Sequence, residues 1–166
     1  RDVASRFHAQ MGETFVIPEL KLHEETMYIP GTDGAKMSKS KGNTIIIFQS
    51  DKALKKQIMS IETDSTPLED PKDPDTCNVF GIYKLLASKD EVAQMRKNYE
   101  AGGYGYGHAK KALYELVLNT FEKERALYNH YMENLDELDA ALSVGAEKAR
   151  GIANDVLERV RKKVGY

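Results

Sequence analysis

Lys36-Met37-Ser38-Lys39-Ser40 places two ammonium groups three residues apart, with hydroxyls between and after them. That donor set suits one task well: gripping the negative oxygens of a triphosphate on a short arm. Lysine brings a compact point charge with three donors, and serine adds a hydroxyl beside it. At average residue usage this pentapeptide arises by chance in a chain of 166 residues about once in 10,000 cases. Gly31 and Gly34 precede it, and Gly42 and Asn43 follow, so the segment is predicted to be a loop that can hinge. Met37, set between charged neighbours, is expected to anchor the loop on apolar surface. Little else apolar lies between 33 and 43, and such a loop opens easily. A merely solvated Lys/Ser turn is the competing reading, and the flanking sequence argues against it.

The elements that must position this loop read as follows. Residues 1–11 carry Val3, Ala4 and Phe7 on one helical stripe and stop at Gly12. The chain opens on Arg1 inside that helix, so a piece of a longer protein is expected. Phe15-Val16-Ile17, closed by Pro18, predicts a short strand, and 20–30 an irregular or edge-strand run. Thr44-Ile45-Ile46-Ile47-Phe48 is the most strand-like stretch in the chain, being almost all β-branched. Asp51 is expected to cap a helix over 52–60, with Leu54, Ile58 and Ile61 inward. Pro67, Pro71 and Pro74 make 61–75 a connector. A short helix is predicted over 77–87. Ser88-Lys89-Asp90-Glu91 is a capping-box pattern opening a helix that ends near Glu100. Gly102 to Gly107 superficially resembles a nucleotide-binding glycine loop, but it follows a helix rather than a strand. It is read as a helix stop and tight turn. Residues 108–133 predict one long amphipathic helix. Asn134 restarts a helix, and a last one is expected over 145–163.

Whole-chain composition is that of an ordinary globular domain, with 41% hydrophobic residues and 24 basic against 26 acidic side chains. Charge is segregated locally. Residues 36–57 hold six lysines and only Asp51 as an acid, a net of +5; residues 61–75 hold six acids and only Lys72, a net of −5. The single cysteine, Cys77, excludes an internal disulfide, fits a reducing compartment and is read as a core or helix-start residue rather than a nucleophile. No apolar run approaches a membrane span, and no signal peptide is expected. Arg159, Arg161, Lys162 and Lys163 end the last helix, where they complement its dipole and are also available to nucleic acid.

With its flanks, the loop resembles that of the class I aminoacyl-tRNA synthetases, and the chain as a whole resembles the C-terminal half of the bacterial-type tryptophanyl family. The loop alone indicates class I. The narrower resemblance rests on Arg1-Asp2-Val3-Ala4 with Phe15-Val16-Ile17-Pro18-Glu19, on Thr63-Asp64-Ser65, and on Asn78-Val79-Phe80-Gly81-Ile82-Tyr83. Gly103-Tyr104-Gly105 with Lys110, and Gly145-Ala146-Glu147-Lys148-Ala149, complete it. The tyrosyl enzymes share the fold and loop, but their helical region is not recognised here. The family's other signature, His-x-Gly-His, is absent: His8, His23, His108 and His130 stand singly.

The resemblance implies a mainly α chain: the end of a Rossmann-like α/β nucleotide fold followed by an α-helical bundle. Residues 1–60 would close the catalytic domain, 61–75 would connect, and 76–166 would face the tRNA anticodon. It implies a tryptophan–tRNA ligase that joins tryptophan to ATP and then to tRNA(Trp), with Mg2+ accompanying ATP and no protein-bound metal. Lys36 and Lys39 would act in catalysis. Met37, Ser38 and Ser40 would line the ATP and pyrophosphate site with them. Tyr104, Tyr106, Arg159, Arg161 and Lys162 are the residues available for tRNA. A cytoplasmic homodimer is implied for the full-length enzyme, and inactivity for these residues alone. The alternatives are a non-catalytic synthetase-like RNA-binding module, which has no need of a pyrophosphate arm, and the tyrosyl-type enzyme.

Overall fold

The computed structural model describes residues 1–22 and 27–166. His23 and the middle of the run expected over 20–30 lie outside the described residues. Seven α-helices are present among the described residues: α1 (Asp2–Met11), α2 (Asp51–Met59), α3 (Asn78–Tyr83), α4 (Lys89–Ala101), α5 (Tyr106–Thr120), α6 (Glu122–Glu133) and α7 (Leu135–Val164). A 3-10 turn covers Lys39–Lys41. The chain is therefore mainly α, and no described helix is long and apolar enough to cross a membrane.

Two compact units are present. One comprises His23–Tyr128, the other Arg1–Leu22 with Asn129–Tyr166. The first holds the core. Leu54 and Ile58 of α2, Val79 and Phe80 of α3, Met95 and Tyr99 of α4, and Ala109, Leu113 and Val117 of α5 are all buried. Their spacing of three or four residues puts each set on one helix face. α5 packs on both α2 and α3, so α2, from before the proline-rich connector, belongs to this core. Burying one such aliphatic or aromatic side chain contributes about 1.5–3 kcal/mol. The Tyr99 ring meets Phe80 edge-on at 5.7 Å, and its hydroxyl lies 3.4 Å from the Cys77 thiol. Cys77 is thus a core residue, as its sequence context predicts.

The connector is ordered around a buried lysine. Lys72 is 4% exposed, and its ammonium donates to the carbonyls of Pro67 (2.8 Å), Leu68 (3.3 Å) and Asp70 (3.1 Å). It also lies 5.5 Å from the centre of the Tyr106 ring. Beside this loop Gly102 has φ +74, and a Cβ there would come within 2.4 Å of the Glu69 carbonyl oxygen. Positive φ and close backbone approach account for that glycine without a nucleotide.

Helix ends follow the sequence in part. Ser88 and Glu91 form the full capping box of α4. α2 is capped by Ser50, whose hydroxyl accepts from the Ala53 amide, and Asp51 is its first residue rather than its cap. The helix expected over 108–133 breaks at Phe121 (φ −108, ψ 20), between α5 and α6. The two helices expected after Asn134 are one, α7, which runs through Gly145. In the unit formed by the two chain ends, neither α1 nor α7 contains a buried residue, and Val3 stands 82% exposed.

Neither expected strand forms. Among the described residues the β-pairing is an isolated antiparallel bridge between Pro30 and Lys36. A β-branched run still needs a neighbouring ladder to become a strand. Here side chains take the backbone groups instead. The Ile46 amide donates to Gln57 Oε1 (2.8 Å), and Gln57 Nε2 donates to the Thr44 carbonyl (2.5 Å). Arg125 donates to the carbonyls of Ile47 and Gln49 and to the Asp51 carboxylate. Near Phe15 the acceptor is His8 Nε2, bonded by the amides of Thr14 (3.2 Å) and Phe15 (2.9 Å).

Candidate functional site

The loop that carries the two lysines has a tied base and an open tip. At the base the chain reverses between Pro30 and Lys36. The Gly31 amide donates to the Ala35 carbonyl (2.7 Å), the Gly34 amide to Gly31 (3.1 Å), and the Met37 amide to Ile29 (2.8 Å). Gly34 has φ +74, and a Cβ there would fall 2.5 Å from Asn78 Oδ1. Only glycine fits that crossing.

Asn43 closes the loop from its far end and is 3% exposed. Its carbonyl accepts from the Thr32 amide (2.9 Å). Its side-chain Oδ1 accepts from the Ser38 amide (2.7 Å), while Nδ2 donates to Asp33 Oδ1 (2.7 Å) and to the Lys36 carbonyl (3.2 Å). The Asp33 carboxyl is held below the ordinary carboxylate range, chiefly by that Asn43 amide and further by the Ala35 amide at 3.0 Å. The base is joined to the helical core through backbone. The Glu62 amide donates to the Thr32 carbonyl (2.8 Å), and Asn78 Nδ2 donates to the Glu62 carbonyl (3.0 Å).

The tip is looser. Ser38 is extended, Lys39–Lys41 make a single 3-10 turn, and Gly42 (φ +69) ends it in the left-handed region. Ser38 and Ser40 hydroxyls are 2.9 Å apart. Lys36, Lys39 and Ser40 are exposed, and Met37 and Ser38 are half-buried. Among the described residues no ion pair engages Lys36 or Lys39. Two free ammonium groups and two hydroxyls therefore stand on a base whose own acid, Asp33, is occupied by an amide. That arrangement can take several anionic oxygens at once. Side-chain hydrogen bonds tie both ends of the loop, whereas the backbone of 39–42 keeps only the bonds of its 3-10 turn.

The other sequence-derived residues are placed as follows. Tyr104 and Tyr106 are half-buried against the core. Tyr104 lies 6.0 Å from the Tyr99 ring and 5.5 Å from His108. Tyr106 donates its hydroxyl to Asp64 Oδ1 at 2.7 Å. Burial, and then that carboxylate, push the Tyr106 phenol up to about 12. Arg159, Arg161 and Lys162 are exposed near the C-terminus of α7. They belong to one unit and the loop to the other. A cleft of about 310 Å³ beside the loop's support is lined by Glu62, Asp64, Cys77, Asn78 and Tyr106, among others. Among the described residues no group of three or more His, Cys, Asp or Glu could hold a metal ion. Sequence reasoning missed Asp33 and Asn78 and took Asn43 for a turn former. The one signal was an Asn directly after the αL-prone Gly42.

Residues 1–122 match the family model of tRNA synthetases class I (W and Y). With the loop geometry above, this places the chain in that family, and it belongs to the class I tRNA synthetases. Within the family it resembles the tryptophan members. It is 48% identical over 165 residues to the tryptophan–tRNA ligase of Campylobacter jejuni (strain RM1221), covering 99% of this chain and 52% of the relative. The corresponding enzyme of Rhodopirellula baltica is 45% identical over the same shares. A crystal structure of tryptophanyl-tRNA synthetase from Campylobacter jejuni, complexed with ADP and tryptophan, superposes with a TM-score of 0.84 at 48% identity. It covers all of this chain and 52% of that one. The chain thus spans about half the length of the curated relatives it matches.

Proposed function

We propose that these residues are the C-terminal part of a tryptophan–tRNA ligase and supply the arm that handles ATP phosphates and pyrophosphate. The observation that carries this reading is the pair Lys36 and Lys39, exposed and, among the described residues, engaged in no ion pair, on a loop whose base is tied. The similarity to an enzyme crystallised with ADP and tryptophan supports it.

In the first reaction a tryptophan carboxylate oxygen bonds to the α-phosphorus of ATP, and the bond from that phosphorus to the bridging oxygen breaks. Negative charge builds on the departing pyrophosphate. Groups aimed at that developing charge lower the barrier more than groups that hold ATP alone. Lys36 and Lys39 meet it with ammonium groups, and Ser38 and Ser40 with hydroxyls. Met37 seats the arm. Mg2+ enters on the phosphates of the substrate. In the second reaction tryptophan passes to tRNA(Trp), with residues 76–166 on the anticodon side. Tyr104 and Tyr106 offer rings for stacking, and Arg159, Arg161 and Lys162 offer charge for phosphates. A cytoplasmic homodimer of full-length chains accompanies this reading.

The test is tryptophan-dependent exchange of labelled pyrophosphate into ATP by a full-length enzyme carrying this segment. Lys36→Ala and Lys39→Ala should each lower kcat by the equivalent of about 2–4 kcal/mol, as for one lost oxyanion donor, with little change in KM for ATP. An effect confined to KM would reduce the arm to a ground-state grip, and no effect would remove it from the reaction.

A further inference from the structure

Asn43 is the one buried side chain in the loop, and it is polar. A buried carboxamide is retained at a cost unless its donors and acceptor are used. Here all are. Oδ1 takes the Ser38 amide, and the two Nδ2 hydrogens reach Asp33 and the Lys36 carbonyl. These three partners bracket the motif: the turn before it, the backbone of its first lysine, and the residue before its second. One side chain therefore fixes the backbone on both sides of Met37.

The two ends of a carboxamide differ only in which is donor and which acceptor, so something must set which way it points. Asp33 does. An ionised carboxylate accepts only, so it must face Nδ2, which leaves Oδ1 for the Ser38 amide. Asp33 is in turn held by the Ala35 amide, and its carboxyl lies below the ordinary carboxylate range. The pair is directional: a donor is required at 43 and an acceptor at 33.

We propose that Asn43, oriented by Asp33, is the positioning residue of the phosphate arm. It sets the backbone at Lys36 and Ser38 so that the lysine ammonium groups meet the departing pyrophosphate. This rests on the reading of the arm given above. Asn43 touches no substrate and acts through the lysines. A misplacement of the arm by about 1 Å is enough to cost on the order of a hundredfold in rate.

The test uses the full-length enzyme in the same pyrophosphate exchange, with thermal unfolding measured on each variant. Asn43→Ala should lower kcat on the order of a hundredfold, with KM for tryptophan unchanged and KM for ATP within about threefold. Asn43→Asp should be at least as slow, because it sets two carboxylates at hydrogen-bond distance. Asp33→Ala, at an exposed position, removes the acceptor that faces Nδ2 while leaving Asn43 in place. It should lower kcat at least tenfold in the same direction, with Tm nearly unchanged. A residue needed only for folding would show loss of Tm rather than a kcat-specific loss. If Asn43→Ala folds with kcat within threefold of the parent, the proposal is overturned. It is overturned equally if Asp33→Ala leaves kcat within threefold of the parent, and this comparison decides the matter where Asn43→Ala does not fold. If Lys36→Ala and Lys39→Ala slow exchange while the Asn43 variants do not, the positioning role falls and the phosphate-arm reading stands. If the lysine variants are themselves neutral, both fall.

Discussion

Between residues 31 and 43 the buried side chain is Asn43, held by hydrogen bonds of 2.7–3.2 Å. Between Leu54 and Val117 the buried side chains are almost all apolar, Cys77 and Met95 among them, with Lys72 the charged exception. Apolar contact is non-directional and spread over many neighbours, so it fixes volume and tolerates small shifts. A hydrogen bond is directional and weakens steeply when bent. The loop therefore has a defined shape that depends on few atoms, whereas the core has a robust shape that depends on many.

The comparison can be broken from either side. The largest effect belongs to the core. Leu54→Ala or Leu113→Ala, each at fully buried positions, should cost about 2–5 kcal/mol by urea unfolding. A smaller cost would mean that the core collapses around the gap and is less specific than its burial indicates. Next in size, Lys39→Ala should raise the barrier of adenylate formation by about 2–4 kcal/mol, yet leave the thermal midpoint nearly unmoved, since its side chain is exposed. A matching fall in Tm would show that the tip contributes to the fold. Ser88→Ala should cost about 1 kcal/mol, because the hydroxyl accepts from the Glu91 amide and completes the box; exchange protection at the start of α4 is the sensitive readout.

A pH dependence is expected beside the core at Tyr106. The phenol of Tyr106 has its folded-state value raised from 10.0 to about 12. A raised group contributes stability that is complete below its unfolded value and is lost as pH rises through the folded one. Stability should therefore fall between about pH 10 and 12, and Tyr106→Phe should flatten that fall. Asp64, its partner, is held low by its bonds from Thr66 and Tyr106. Its contribution is present above the ordinary carboxylate range and is lost as pH falls through the depressed value.

What the sequence revealed divides along the same line. The Ser88–Glu91 box and the stop at Gly12 are local chemistry, and local chemistry is readable. The strand expected over Thr44–Phe48 failed for a long-range reason: the groups that satisfy its backbone are Gln57 and Arg125, the latter 78 residues beyond Ile47. Phe121 breaks a helical pattern that is continuous in sequence, and α7 passes Gly145 without interruption because one glycine costs a long helix only about 1 kcal/mol. Asn43 was legible as a turn residue. Its burial depends on Asp33, ten residues earlier, and no periodicity announces such a pair.

Lys72, enclosed by three carbonyls and facing an aromatic ring, occupies the kind of oxygen nest that a dissolved monovalent cation could fill. Here the ligand is covalently tethered, so its effective concentration is set by the chain and not by the medium. The turn at 67–70 stays occupied whatever the ionic composition around it. A stretch with a net charge of −5 would otherwise be the part of the molecule most responsive to its surroundings.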